Sequence, residues 1–321
     1  MKNLKAVLAA VLILTVIGGL WYKNRSAEGS ECEKTEFLFD TECTVRAYGK
    51  RAEEAVDAVF SELANLDGIT DMYDSGSQVS RINSAAAGET VRVDMAVVNM
   101  INTAQQICRD SEGAFDITMA PVTRLWKFDG GEPSVPDPSA VRDALAAVGS
   151  ENFSVDLKAC TVTKLAEGAA IDLGGVVKGY AADKAADILK SFEVDGALAD
   201  LGGNVMCVGK NPKTKNGKWR IGLQKPFAPT GEYDRVIELS SGAAVTSGTY
   251  QRSFELEGRL YHHILNPENG YPSAQSYDGV TVAAERALLA DCLSTACFVL
   301  GEKKGRELAE KYGAEIYYVF K

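Results

Sequence analysis

The chain has 321 residues, 46% of them hydrophobic, with 34 basic and 44 acidic side chains and a formal charge of -10. That is enough for one large domain or two small ones, and it excludes global disorder. The acidic balance argues against nucleic acid as a partner, and an anionic ligand would need local positive groups or a metal.

Ala6 to Tyr22 is uncharged and mostly aliphatic, with Lys2 and Lys5 before it and Lys23 and Arg25 after it. At about 17 residues it reaches the short end of a membrane span. No small-x-small pattern follows Leu20. Residues 1–25 therefore read as an uncleaved signal-anchor in the cell membrane, with the bulk of the protein outside the cytoplasm. A cleaved signal peptide competes with this reading, and the Lys/Arg balance does not fix the orientation. Residues 26–35 are polar and acidic and read as a linker, leaving 36–321 as the folded domain.

Glu36 to Tyr48 alternates like a strand, and Arg51 to Leu66 has apolar groups at helical spacing. Met72 to Asn83 reads as a loop, and Met95 to Cys108 as a second amphipathic helix. Gly113 to Phe128 mixes apolar groups with Asp116. Asp137-Pro138 opens a short helix, with the acid as cap and proline at its first position. Phe153 to Thr163 reads as a hairpin. Ala169 to Leu189 reads as strand, glycine bend and helix, with Val176, Val177, Tyr180, Ala181, Ile188 and Leu189 on the buried face. Ala197 to Val208 is strand–turn–strand around Gly202 and Gly203. Short strands follow at Trp219–Leu223, Val236–Leu239, Ala243–Val245, Leu260–Leu265 and Tyr277–Ala284. Helices at Ala287–Leu300 and Lys303–Tyr312 precede a last strand, Ala314–Phe320. Short strands broken by helices, without βαβ alternation, predict an α+β fold with mixed or antiparallel sheets and flanking helices.

Three groups could carry chemistry. The Gly174-Gly175 bend at a helix start, with Lys178 in its first turn, suits a phosphate, although a double glycine also fits an ordinary turn. The two histidines of the chain, His262 and His263, are adjacent, so on a strand only one can face a given site; both could equally be packing residues. Asp291 and Thr295 share a helix face, with Ser294 close by, and offer oxygens to a hard cation such as Mg²⁺, although Asp291 could simply be solvated. Together they suggest phosphoryl or nucleotidyl transfer on a diphosphate. No pair of the seven cysteines is spaced CxxC, which argues against zinc; most read as small buried hydrophobes, with one disulfide left open.

The ordered blocks YDSGSQVSRIN, GAFDITMAPVTRLW, IDLGGVVKGYAADKAADIL, ADLGGNV, AVTSGTYQR, YHHILNPENGYP and LLADCLSTACFVLG resemble the ApbE family, the FAD:protein FMN transferases, over Phe37 to Lys321. The resemblance implies a T-fold-like architecture and transfer of FMN from FAD to a Thr or Ser hydroxyl of an acceptor flavoprotein, releasing AMP. It implies that FAD is held by Phe39, Tyr73, Ala114, Phe115, Asp116, Asp172, Lys178 and the main chain around Leu265. It implies Mg²⁺ on Asp291, Thr295 and the Gly175 carbonyl, with Ser294 as a further contact, and His263 as the catalytic histidine. The chain departs from the family at Phe39-Asp40-Thr41, where Met-Gly-Thr is frequent, and at Asn266, where aspartate is favoured. An FAD hydrolase, a non-catalytic flavoprotein and an anchored module without ligand are the rival functions. The segment Glu238–Ala244 loosely resembles an acceptor's Ser/Thr-Gly-Ala core, which raises self-modification as a minor idea.

Overall fold

The computed structural model describes residues 30–128, 134–229 and 231–320. The anchor expected over 1–25 lies outside the described residues, and among these no helix is long and apolar enough to cross a membrane.

One sheet organises the fold. Its seven strands are β1 (Glu31–Leu38), β2 (Thr41–Tyr48), β6 (Gly196–Leu201), β7 (Asn204–Gly209), β10 (Gly242–Gly248), β13 (Tyr277–Ala284) and β14 (Glu315–Phe320), ordered β1-β2-β6-β7-β10-β13-β14. Every neighbouring pair is antiparallel, so of the mixed or antiparallel sheets expected only the second kind occurs. Smaller sheets are β3 (Thr90–Arg92) with β5 (Thr161–Lys164) and β4 (Phe153–Asp156), β8 (Trp219–Gln224) with β9 (Tyr233–Leu239), and β11 (Ser253–Leu256) with β12 (Arg259–His262).

Alternation along the strands gives the large sheet two apolar faces. Val45, Ala47, Val245, Val280 and Val282 pack under the helices α1 (Ala52–Thr70), α3 (Met95–Asp110), α6 (Val177–Ser191) and α7 (Ala287–Leu300). Tyr48, Val205, Cys207 and Ala244 meet Trp219, Ile221 and Leu223 of the β8–β9 ribbon on the other face. A third cluster, around Trp126, lies beneath α4 (Ala120–Trp126) and α5 (Pro138–Leu145), with Trp126 donating to the Gly270 carbonyl at 2.9 Å. All seven cysteines are free. The chain closes with α8 (Glu302–Lys311) before β14.

Several segments differ from the sequence expectations. The last residues of the expected linker are in β1, and the expected strand 36–48 is a hairpin. It turns at Phe39 and Asp40, both in the left-handed region (φ 53° and 58°), as a two-residue hairpin loop requires. The expected loop at 72–83 contains α2 (Gln78–Ser84), started by the Ser77 hydroxyl accepting from the Ser80 N–H. The strand expected before the double glycine joins no sheet. There the Asn83 side chain satisfies Ile171 instead, accepting its N–H at 2.7 Å and donating to its carbonyl at 2.9 Å, while the Asp172 N–H donates to the Ile117 carbonyl. The strand expected over 260–265 stops at His262.

Candidate active site

The β1–β2 and β6–β7 turns, the end of β10 and the start of β13 all lie at one end of the sheet, because neighbours run antiparallel. Here a cavity of about 330 Å³ opens, walled also by the first turn of α6, the middle of α7 and the segment after β12. Phe39, Tyr73, Ala114, Phe115, Asp116, Asp172, Gly175, Lys178, His263, Leu265, Asp291 and Thr295 all line it. Ser294 does not. It is fully buried, and its hydroxyl is engaged with Ser247 Oγ at 2.7 Å and the Asp291 carbonyl at 3.0 Å. The expected metal contact at Ser294 thus sits behind the lining residue Ser247, to which its hydroxyl is bonded.

Asp291 reaches the cavity because α6 and α7 nearly touch. A Cβ on Gly179 would lie 2.6 Å from the Ala287 carbonyl oxygen and 2.7 Å from Asp291 Cβ. With glycine there, the Gly179 N–H donates to Asp291 Oδ2 at 2.8 Å. Burial raises the Asp291 carboxyl to about 6, opposed by the Lys178 charge, the Gly179 N–H and the Asn204 amide. Thr295, one turn on, shares a hydrogen bond with Ser247 Oγ at 3.0 Å. The register of α7 is set by Asp183 of α6, which accepts from the N–H groups of Ala287 (2.8 Å) and Leu288 (3.1 Å) and pairs with Arg286.

Asp172 stabilises the glycine bend by accepting the Gly174 N–H at 2.8 Å. Asp116 caps the short turn Ile117–Met119, taking the Thr118 N–H and hydroxyl, and burial raises its pKa.

The histidines separate as their spacing predicts. His262 turns to the Ser273 carbonyl, behind the cavity, and His263 lines the cavity itself. His263 Nδ1 lies 3.2 Å from the Arg252 carbonyl, which can only accept. The proton is therefore on Nδ1, and Nε2 keeps its lone pair. Burial first, then the charges of Lys178 and Arg252, push the imidazole down to about 3, so it is neutral. The Arg252 guanidinium also pairs with Asp40 at 3.4 Å at the cavity wall.

The wall carries Asp40, Asp67, Asp71, Asp116, Asp172 and Asp291 against the cations Lys178 and Arg252. Its charge alone disfavours a diphosphate, so a bound cation would complete the site. Among the described residues no group of three or more His, Cys, Asp or Glu could hold a metal. A hard ion that takes one carboxylate, a hydroxyl and a carbonyl still fits Asp291, Thr295 and Gly175. The sequence reading passes over Gly179, Asn204 and Ser247, whose parts depend on cross-strand and interhelical contacts; only the Gly-Gly-Asn turn signalled that β7 begins close to a neighbour.

Fold and cavity define an antiparallel α+β protein with a cleft at the end of its main sheet that gathers the glycine bend, Lys178, His263 and Asp291. The chain belongs to the ApbE family, whose profile matches residues 39–320. An FAD:protein FMN transferase from Treponema pallidum is 30% identical over 325 residues, covering 96% of this chain and 90% of its own. One from Klebsiella pneumoniae is 35% identical over 253 residues, covering 79% and 78%. The crystal structure of the ApbE protein from Thermotoga maritima is similar at 32% identity and a TM-score of 0.82, over 91% of this chain and 94% of that one. For the flavinyl transferase ApbE of Pseudomonas stutzeri the values are 31%, 0.79, 91% and 92%.

Proposed function

We propose that the chain is an FAD:protein FMN transferase that moves FMN from FAD to a Thr or Ser hydroxyl of an acceptor flavoprotein and releases AMP, using Mg²⁺. The observation that supports this most is that the glycine bend, Lys178, Asp291 and His263, from separate parts of the chain, all line one cavity.

In this reading the diphosphate lies against the Gly174-Gly175 bend, where no side chain bars its approach, and Lys178, whose ammonium attracts its charge. Phe39, Tyr73 and Phe115 offer surface to the rings. Asp291, Thr295 and the Gly175 carbonyl would hold Mg²⁺, which when bound supplies positive charge to the phosphate oxygens. The acceptor oxygen attacks the phosphorus on the riboflavin side, and the P–O–P bridge to AMP breaks. His263 Nε2 takes the hydroxyl proton, since Nδ1 is committed to Arg252. A proton on this imidazole is disfavoured by burial and two cations. The negative charge of a bound diphosphate would offset those cations, the smaller part of the effect.

The apolar run Ala6–Tyr22 supports an anchor in the cell membrane, and the signal-anchor reading puts the catalytic domain on the extracytoplasmic side. Release of the full chain by a carbonate wash of membranes would refute that placement.

The activity is tested with full-length protein, FAD, Mg²⁺ and a flavoprotein subunit carrying a Ser/Thr-Gly-Ala motif. The expected result is flavin fluorescence on the acceptor that survives denaturing electrophoresis, with equimolar AMP. Asp291→Ala should abolish transfer and weaken FAD binding, whereas His263→Ala should abolish transfer and leave binding intact. Free FMN without a labelled protein would make the enzyme a hydrolase. FAD recovered intact would make it a non-catalytic flavoprotein.

A further inference from the structure

Asn204 opens β7 in the cavity wall and is 2% exposed, yet its side-chain Nδ2 has no hydrogen-bond partner among the described residues. Buried amide donors are nearly always paired, and an unpaired one signals a partner that comes from elsewhere.

Its surroundings narrow what that partner is. Neighbouring polar groups are committed: Ser247 Oγ to Ser294 and Thr295, and Asp291 Oδ2 to the Gly179 N–H. The Asn204 amide faces Asp291 and helps hold its carboxyl down, without a hydrogen bond that satisfies Nδ2. Its position is fixed from both sides. Asn204 pairs in register with Val245 of β10. The preceding Gly202 has φ 63°, and a Cβ there would lie 2.4 Å from Thr41 Oγ1. The amide is thus held on a cavity wall shared with Lys178, with donor capacity left for an acceptor that enters the cavity. An anionic oxygen is the acceptor class that an amide N–H and a lysine ammonium both favour.

We propose that Asn204 is a substrate-binding residue whose amide N–H donates to a phosphate oxygen of the bound dinucleotide. This rests on the flavin transferase reading and adds a contact to it. The role differs from that of the aromatic wall, because it depends on the phosphates alone.

The test titrates full-length wild type and Asn204→Ala with FAD, ADP and riboflavin in Mg²⁺, by fluorescence or calorimetry, and records the melting temperature without ligand. The variant should bind FAD and ADP about 10- to 100-fold more weakly. Riboflavin affinity should be unchanged. The ligand-free melting temperature should hold or rise, because an unmatched donor has been removed. Equal affinity of variant and wild type for FAD and ADP would overturn the assignment. So would a loss that extends to riboflavin and accompanies a lower melting temperature, which marks a purely structural residue. Should the alanine variant not fold, Asn204→Ser is read by the same criteria. Wild type that binds none of the three ligands defeats the flavin transferase reading itself, a different outcome from normal binding by both proteins.

Discussion

Replacing Gly179 by alanine tests whether helix contact sets the metal-side carboxylate. The new Cβ would lie 2.6 Å from the Ala287 carbonyl oxygen, 2.7 Å from Asp291 Cβ and 2.8 Å from Leu288 Cα. Ordinary contact starts at 3.4 Å, so α6 and α7 must part by roughly 0.6–0.8 Å. Three effects compete. Alanine in a helix gains about 1 kcal/mol over glycine. Overpacking costs about 1–3 kcal/mol. Stretching the Gly179 N–H bond to Asp291 costs about 1.5–3 kcal/mol, as expected for a charged acceptor. The clash and the bond outweigh the propensity, for a net loss of about 1.5–5 kcal/mol, or roughly 2–8 °C in a domain of this size. Asp291 also moves relative to the Gly175 carbonyl, so transfer should fall by at least about tenfold. Thermal melts with and without FAD and Mg²⁺, alongside AMP release, measure both effects. Gly179→Ala melting within about 1 °C of wild type and transferring at the wild-type rate would refute the reasoning.

Asp183→Ala removes the carboxylate that holds the start of α7, leaving one buried and one part-buried N–H group without it; the expected loss is about 2–4 kcal/mol, read as a lower melting temperature, and an unchanged melt would count against it. His263 gives a pH prediction. Its pKa falls from 6.5 to about 3 on folding, so below pH 6.5 the unfolded chain takes a proton that the native one refuses. The native state therefore loses stability as pH falls from about 6.5 towards 3, a loss absent above that window. His263→Gln should flatten this part of the melting-temperature profile, and parallel profiles for the two proteins would exclude it.

What the sequence made legible follows from periodicity. Asp291 and Thr295 fall on one face of α7 because they are four apart, and both line the cavity. The histidine pair splits between two environments because adjacent residues of an extended chain face opposite ways. Less legible were features made by distant partners. Nothing local shows that Asn83 stands in for a strand neighbour beside Ile171, or that the Ser294 hydroxyl is bonded to Ser247. Phe39 and Asp40 disguise a hairpin turn, because neither is the glycine or asparagine that usually marks one. Gly179 looks like a poor helix residue until the opposite helix is seen.

β10 carries one further consequence. Its cavity end bears Thr246 and Ser247, while Ser240 and Ser241, the acceptor-like pair, are exposed just before its other end. From Ser241 to Ser247 the strand runs about 20 Å, and it is clamped between β7 and β13. A flavin found on that pair must therefore have been delivered by another copy of the enzyme, since a molecule could label itself there only by dismantling its own central sheet.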